Sequence, residues 1–124
     1  MDPIANMLVA VKNAYMAKKE SVILPYSGFK FRIAKILEQE KFTGEVVKKD
    51  NQLIINLIYE NQEPKIKQIK RVSKLGLRVY TRSKNIKSLK GGRGLTIIST
   101  PQGVMSGADA KVKKLGGEVI CQIW

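Results

Sequence analysis

The sequence contains no histidine, and Cys121 is its single cysteine among 124 residues. Without imidazole there is no histidine-based triad, no histidine metal site and no histidine switch near neutral pH. One cysteine excludes an internal disulfide and a cysteine-cluster zinc site, and it fits a cytosolic chain. Long hydrophobic runs are missing as well. Val22–Leu24 and Leu53–Ile55 fall far short of the roughly 20 residues that a membrane span needs. Met1-Asp2-Pro3 at the start lacks the basic and apolar regions of a secretory signal. Acids are scarce: 10 Asp and Glu face 23 Lys and Arg, a net charge of +13, which favours a polyanionic partner. What is present is apolar enough to fold. A hydrophobic share of 44% excludes a disordered basic tail, and the length suits one domain or two small lobes.

The excess charge is concentrated. Residues 1–63 hold 9 Lys and Arg and 8 acids, a net of +1, whereas residues 64–124 hold 14 Lys and Arg and only Asp109 and Glu118, a net of +12. No acid stands between Glu63 and Asp109. Ordinary surfaces intersperse both signs, so this stretch points to an anionic partner rather than to a merely solvated face. The break at Asn61-Gln62-Glu63-Pro64 places an expected lobe boundary between residues 1–63 and 64–124.

Periodicity supplies the elements. Asp2 and Pro3 suit an N-cap and first helical position, and Ile4, Met7, Leu8, Val11 and Tyr15 follow at helical spacing. Lys18-Lys19 is expected near the helix end, where cations suit the dipole. Val22–Leu24 reads as a strand stopped by Pro25. Ser27 caps a second helix with Phe29, Ile33, Ile36 and Leu37 inward. Glu45–Lys49 and Leu53–Tyr59 flank a turn at Asp50-Asn51-Gln52 and read as a hairpin. Further strands are expected at Ile66–Val72, Leu77–Tyr80, Leu95–Ile98 and Glu118–Trp124, with a turn at Ser73–Gly76. A helical turn is expected near Ser83, a left-handed or flexible loop at Gly91–Gly94, and a helix over Gly107–Leu115 ended by Gly116-Gly117. The fold class is α+β: a helix–strand–helix–strand–strand lobe, then a strand-rich lobe with one short helix.

Several chemistries find no support. Gly91–Gly94 lacks the Lys-Ser/Thr pair of a nucleotide-binding loop and completes no dinucleotide fingerprint. Asp109 and Glu118 fall on separate elements without metal-ligand spacing, and no nucleophile–base set is present. The expectation is a non-enzymatic protein with no cofactor, no metal and no small-molecule substrate. Leu95–Met105 is different: an apolar strand runs into Ser99-Thr100-Pro101-Gln102-Gly103 and returns to apolar sequence. Hydroxyl and amide groups held beside a basic surface suit RNA, whose phosphates meet cations while short polar groups meet base edges and 2′-hydroxyls. The same residues also suit a tight turn that satisfies its own backbone.

The run from Gly94 to Lys111 has a recognisable form: Gly, two residues, two aliphatics, Ser-Thr, two residues, Gly, two aliphatics, four residues, Ala-Lys. It resembles the signature of the ribosomal protein S8 family of the small subunit. Asp2–Leu8, Leu24-Pro25-Tyr26-Ser27, Arg71-Val72-Ser73 with Gly76–Tyr80, and Gly116–Cys121 agree with that family in order, and the short length resembles the bacterial form. The resemblance implies a two-lobe α+β protein that binds the central domain of 16S ribosomal RNA early in assembly, on the ribosome in the cytoplasm, beside neighbouring small-subunit proteins and away from membranes. It also implies a regulatory alternative, a repressor of its own operon mRNA through an imitation of the ribosomal site. By motif match, Ser99, Thr100 and Gly103 fall in an RNA-reading loop and Tyr80 stands where the family sets an aromatic against RNA. Lys30 matches a basic contact of the first lobe, and Asp2 and Pro3 match an opening that approaches RNA.

Two positions depart from the family pattern. Pro101 replaces a common serine and offers neither hydroxyl nor N–H, which leaves the amide of Gln102 to compensate. Ser106-Gly107 replaces a threonine and a polar residue, and Gly107 is expected to weaken the helix start. Lys84, Lys87, Lys90 and Arg93 are assigned to phosphates, and Ser99 and Thr100 to selectivity. Tyr80 fits stacking on a base or sugar, with a core position beside Leu77 and Val79 as the lesser alternative.

Overall fold

The computed structural model describes residues 3–124, together with all side chains in that range except that of Lys90. Asp2, read above as an N-cap and RNA contact, and the side chain of Lys90 lie outside the described residues. The chain divides into two compact units, one running to Lys67 and the other Gln68–Trp124. Both mix helix and strand, as the α+β reading requires. The division falls past the charge break at Glu63–Pro64 because that segment is tied back into the first unit. Tyr59–Glu60 (β4) and Glu63–Pro64 (β5) pair as a small hairpin. Its tip residues Asn61 and Gln62 both have positive φ, 53° and 66°, the combination whose twist suits a two-residue connection.

In the first unit, Pro3–Met16 (α1) and Gly28–Gln39 (α2) pack against Ser21–Pro25 (β1), Val46–Lys49 (β2) and Gln52–Asn56 (β3). The three strands are antiparallel in the order β1-β3-β2. Val22, Ile55 and Val46 stand in register and are buried. They meet helical stripes that include Met7, Leu8, Val11, Ile33 and Leu37. Ser27 caps α2 as expected, its Oγ accepting from the Lys30 amide at 3.2 Å. Tyr15 ties the unit together: its hydroxyl donates to the Phe42 carbonyl at 2.7 Å and accepts from the Ile58 amide at 3.2 Å. Burial holds that phenol above its ordinary pKa.

Some details differ from the sequence reading. Lys18 lies beyond the end of α1, with φ 57°. Its amide donates to the Tyr15 carbonyl and that of Lys19 to Ala14, a C-terminal cap in which lysine holds the position glycine usually takes. Phe29 is 36% exposed, at the first turn of α2 ahead of the buried stripe. The final strand of the first sheet ends at Asn56; the Leu57 amide still reaches the Glu20 carbonyl in the same register, and the chain then leaves for the β4–β5 hairpin.

The second unit is one antiparallel sheet with a single α-helix. Its strands are Ile69–Arg71 (β6), Tyr80–Thr81 (β7), Leu95–Thr100 (β8), Gly103–Ser106 (β9) and Gly117–Ile123 (β10), with Gly107–Val112 as α3. The order is β6-β10-β8-β9, and β7 also pairs with β10. The segments expected as strands at Ile66–Val72 and Leu77–Tyr80 are therefore much shorter. Lys74 and Leu77 close a turn through their own amides and carbonyls, so pairing with β10 resumes only near Val79. Ser73 seals the neck of that excursion: its buried Oγ accepts from the Val79 amide and donates to the Val79 carbonyl. A bulge in β10 between Val119 and Cys121 is steadied by Arg71, whose Nη1 donates to the Ile120 carbonyl at 2.6 Å.

Gly116 and Gly117 do not end the helix. Lys114 does so at φ 57°, in the same cap as Lys18, with the Leu115 amide on the Ala110 carbonyl. The glycine pair serves close approach instead. A Cβ on Gly116 would sit 2.5 Å from the Thr81 carbonyl oxygen, and one on Gly117 would fall on that of Ser99. Gly107 likewise has a packing reason, since a Cβ there would come within 3.2 Å of Ile86 Cγ2. Ile86, which follows the 3-10 turn Ser83–Asn85, forms a buried cluster with Ile98, Met105 and Ala110 under α3.

Candidate nucleic-acid interface

Strand register brings Tyr80, Ser99, Thr100, Gln102 and Gly103 to one end of the second unit's sheet, whereas Arg93 precedes β8 at its other end. Tyr80 on β7 stands opposite Glu118 on β10, Glu118 opposite Ser99 on β8, and Ser99 opposite Val104 on β9. Directly opposed residues of antiparallel strands share a face, so these four form a row across the sheet. Side chains alternate along a strand, so the row lies on the face opposite the Ile98–Met105 contacts with α3. Tyr80 is 70% exposed. The core alternative for this tyrosine does not hold, because the turn at Lys74–Leu77 leaves Leu77 exposed too.

Ser99 and Thr100 are strand residues, not loop residues, because β8 runs on through Thr100. The connection to β9 is only Pro101-Gln102, with Thr100 paired to Gly103. Thr100 is buried, and its hydroxyl is engaged twice, donating to the Gly103 carbonyl at 2.8 Å and accepting from the Gln102 amide at 3.1 Å. The self-satisfying turn weighed in the sequence is thus what Thr100 builds. Gly103 completes it at φ 117°, a region that side-chain-bearing residues rarely enter. Pro101 and Gln102 form an exposed tip, while half-buried Ser99 keeps a hydroxyl without a partner among the described residues.

The charge of the second unit is mostly of one sign. Glu118 is paired with Arg78, Nη1 to Oε2 at 3.0 Å, so its carboxylate is compensated locally. Asp109 sits in the first turn of α3, where a carboxylate suits the helix end, and Ser106 caps the same turn by accepting from its amide. Lys84, Lys87 and Arg93 are exposed as expected for phosphate contacts. Lys84 and Lys87 make no ion pair among the described residues. Arg78 and Arg82 are exposed cations of the same unit that the sequence reading did not assign. The acid-free run that contains them was the available signal.

Lys30 and Pro3 belong to the first unit. Lys30 is half-buried in the first turn of α2, and exposed Pro3 opens α1. Among the described residues there is no metal-binding cluster and no helix long and apolar enough to cross a membrane. Cys121 is buried, and burial pushes its thiol up to about 12 despite nearby Arg71, so it is no nucleophile.

Comparisons with known proteins identify relatives of this chain. The family described as "Ribosomal protein S8" matches residues 2–124. A "Small ribosomal subunit protein uS8" of Roseiflexus castenholzii is 44% identical, covering 99% of this chain and 97% of the relative. Proteins of the same name from Nitratidesulfovibrio vulgaris and Streptomyces griseus are 42% and 44% identical, each over 99% of this chain and 98% and 97% of their own lengths.

Proposed function

The chain belongs to the ribosomal protein S8 family, and from that premise we propose that it binds the central domain of 16S ribosomal RNA and helps to order that region during small-subunit assembly. As a member of this family it is a structural, non-enzymatic component of the small ribosomal subunit. The observation that carries the RNA-binding reading is the row Tyr80–Glu118–Ser99–Val104. It combines an exposed ring, a free hydroxyl and a locally neutralised acid in a unit whose other acid lies on α3.

In this reading the cations act through phosphates and Tyr80 stacks on a base or sugar, a contact that contributes about 1–3 kcal/mol where a base is involved. Ser99, Gln102 and the backbone at Gly103 meet the RNA from the sheet end. Lys90 belongs with the phosphate contacts, and Lys30, Asp2 and Pro3 with accessory contacts of the first unit. The site of action is the ribosome in the cytoplasm, among neighbouring small-subunit proteins.

Electrophoretic mobility shifts with the purified full chain test this proposal. The central domain of the small-subunit RNA from the same genome is expected to bind far more tightly than an unrelated structured RNA of equal length. Affinity is expected to fall linearly on a log–log plot against salt. Equal affinity for both RNAs contradicts the reading.

A further inference from the structure

We propose that Lys111, Lys113 and Lys114, together with Lys84 from the neighbouring 3-10 turn, form a second phosphate-binding surface on the α3 side of the sheet. It holds a different stretch of RNA backbone from the one met by the Tyr80–Ser99 row. The proposal rests on the RNA-binding reading above and extends it. The sequence reading assigns only Lys84 of these four lysines to phosphates.

The placement follows from which way the strand residues face. Ile98 and Met105 point to α3 and share a buried cluster with Ile86 and Ala110, whereas Tyr80, Glu118, Ser99 and Val104 form a row on the other face. The turn Ser83–Asn85 packs against α3, and buried Ile86 follows it. Lys84 therefore belongs to the α3 side. Lys111, Lys113 and Lys114 are exposed there, at the helix end and just past it. The sheet stands between these cations and the row, so one straight length of backbone cannot run along both.

None of the four ammonium groups makes an ion pair among the described residues. Asp109 is the one acid of α3, and Glu118, on the other face, is paired with Arg78. Compensation of the helix end does not account for three lysines. The helix has only six residues, its end carries about half a unit charge, and Lys113 and Lys114 lie past it. Like charges gathered in this way repel one another, and an anionic partner removes that cost.

Residue type decides the kind of partner. Lysine is depleted in protein–protein interfaces. It is a compact, hydrated point charge on a flexible stem, suited to a phosphate whatever base stands beside it. Val112 is 82% exposed between Lys111 and Lys113. Residues 108–115 contain no hydroxyl, amide or aromatic side chain, so this surface attaches to backbone and reads no base.

Directed hydroxyl-radical probing tests the proposal, using the full chain bound to the small-subunit ribosomal RNA of the same genome. Val112→Cys and Pro101→Cys place an iron chelate on the α3 side and at the row's end of the sheet, while native Cys121 is buried and stays unlabelled. The two probes are expected to cut separate backbone segments. The triple variant Lys111→Gln, Lys113→Gln and Lys114→Gln keeps helix propensity. It is expected to lose protection of the segment cut from position 112 and to keep that of the other. Its salt dependence of binding is expected to be less steep by about 2, the sum of three phosphate contacts. The matching triple arginine variant is expected to retain both footprints.

Cuts at the same nucleotides from both probes overturn the proposal, as does an absence of cuts from position 112. An unchanged slope and footprint in the triple glutamine variant overturn it too, and would leave this face to an acidic protein segment. Equal loss of protection over both segments would show one continuous site and likewise contradict it. Failure of the wild-type protein to prefer this RNA at all would instead overturn the RNA-binding reading, so the two failures are distinguishable.

Discussion

The two units of the chain are similar in length but are assembled by different means. In the first, two helices cover one face of a three-stranded sheet, acids are nearly as many as cations, and two of the cations have local partners: Lys35 with Glu38 at 3.1 Å and Lys65 with Glu60 at 3.0 Å. In the second, residues 68–124 carry 12 Lys and Arg against Asp109 and Glu118, a net of +10. One short helix covers part of its sheet, and backbones approach closely where Gly116 and Gly117 pass Thr81 and Ser99. A unit that needed only to fold would gain by interspersing acids among those cations, since like charges repel in the compact state. The second unit keeps its charge unbalanced and leaves Tyr80 exposed. That contrast supports the proposed binding role of the second unit more directly than the total charge of +13 does.

The contrast in backbone approach gives the largest expected effect. Gly117→Ala is expected to destabilise the protein by more than about 3 kcal/mol in chemical denaturation, because the new Cβ would fall on a carbonyl oxygen. Gly44 is the comparison in the first unit, where a Cβ would meet Ile58 Cγ2 at 3.1 Å and the Asn56 carbonyl oxygen at 3.3 Å. A side-chain methyl yields more easily than backbone, so Gly44→Ala is expected to cost about 1 kcal/mol. Equal losses would remove the distinction.

Thr100→Val comes next. Loss of both turn hydrogen bonds is expected to cost about 1–3 kcal/mol in the same assay. Thr100→Ser is expected to stay close to wild type.

A third comparison concerns charge. Lys84→Ala is expected to lower the steepness of the salt dependence of RNA binding by about 0.7–0.9. Lys35→Ala, whose ammonium already faces Glu38, is expected to leave that slope unchanged. Salt titrations of both variants on one RNA decide the point. The same slope for Lys84→Ala as for wild type would remove Lys84 from the phosphate contacts.

The smallest expected effect tests where the units are alike. Lys41 closes α2 with φ 63° and Lys114 closes α3 with φ 57°, in matching caps. Glycine adopts this conformation without the Cβ cost, so Lys41→Gly and Lys114→Gly are each expected to stabilise by about 0.5–1 kcal/mol. Thermal denaturation at high salt, where the change in charge matters least, measures both. Stabilisation at one cap and not the other would show that the helix ends differ in kind.

Much of this fold was legible in the sequence because it rests on periodicity and capping. Ile4, Met7, Leu8 and Val11 recur on one face of α1, and Ser27 stops the chain and caps α2. Strand lengths in the second unit were less legible. The turn at Ser73–Gly76 was expected, but periodicity did not reveal that Ser73 turns both hydroxyl hydrogen bonds onto Val79 and that the strands on either side are short. Gly116-Gly117 resembled a helix stop, since sequence cannot reveal that two carbonyls lie where side chains would go.

The candidate site was legible in membership but not in roles. Motif and charge placed Tyr80, Ser99, Thr100 and Gln102 together, and strand register does bring Tyr80 and Ser99 into one row. Which hydroxyl is free and which is consumed depends on hydrogen bonds across the Thr100–Gly103 turn. No spacing rule contains that information.

The most direct test of the contrast between the two units is ultraviolet crosslinking of the full chain to total RNA of its own cells, with both partners sequenced. The account predicts crosslinks concentrated in the central domain of the small-subunit ribosomal RNA and, on the protein, in peptides containing Tyr80 and residues 99–104. Crosslinks scattered over many RNAs, or confined to peptides before Lys67, would contradict it.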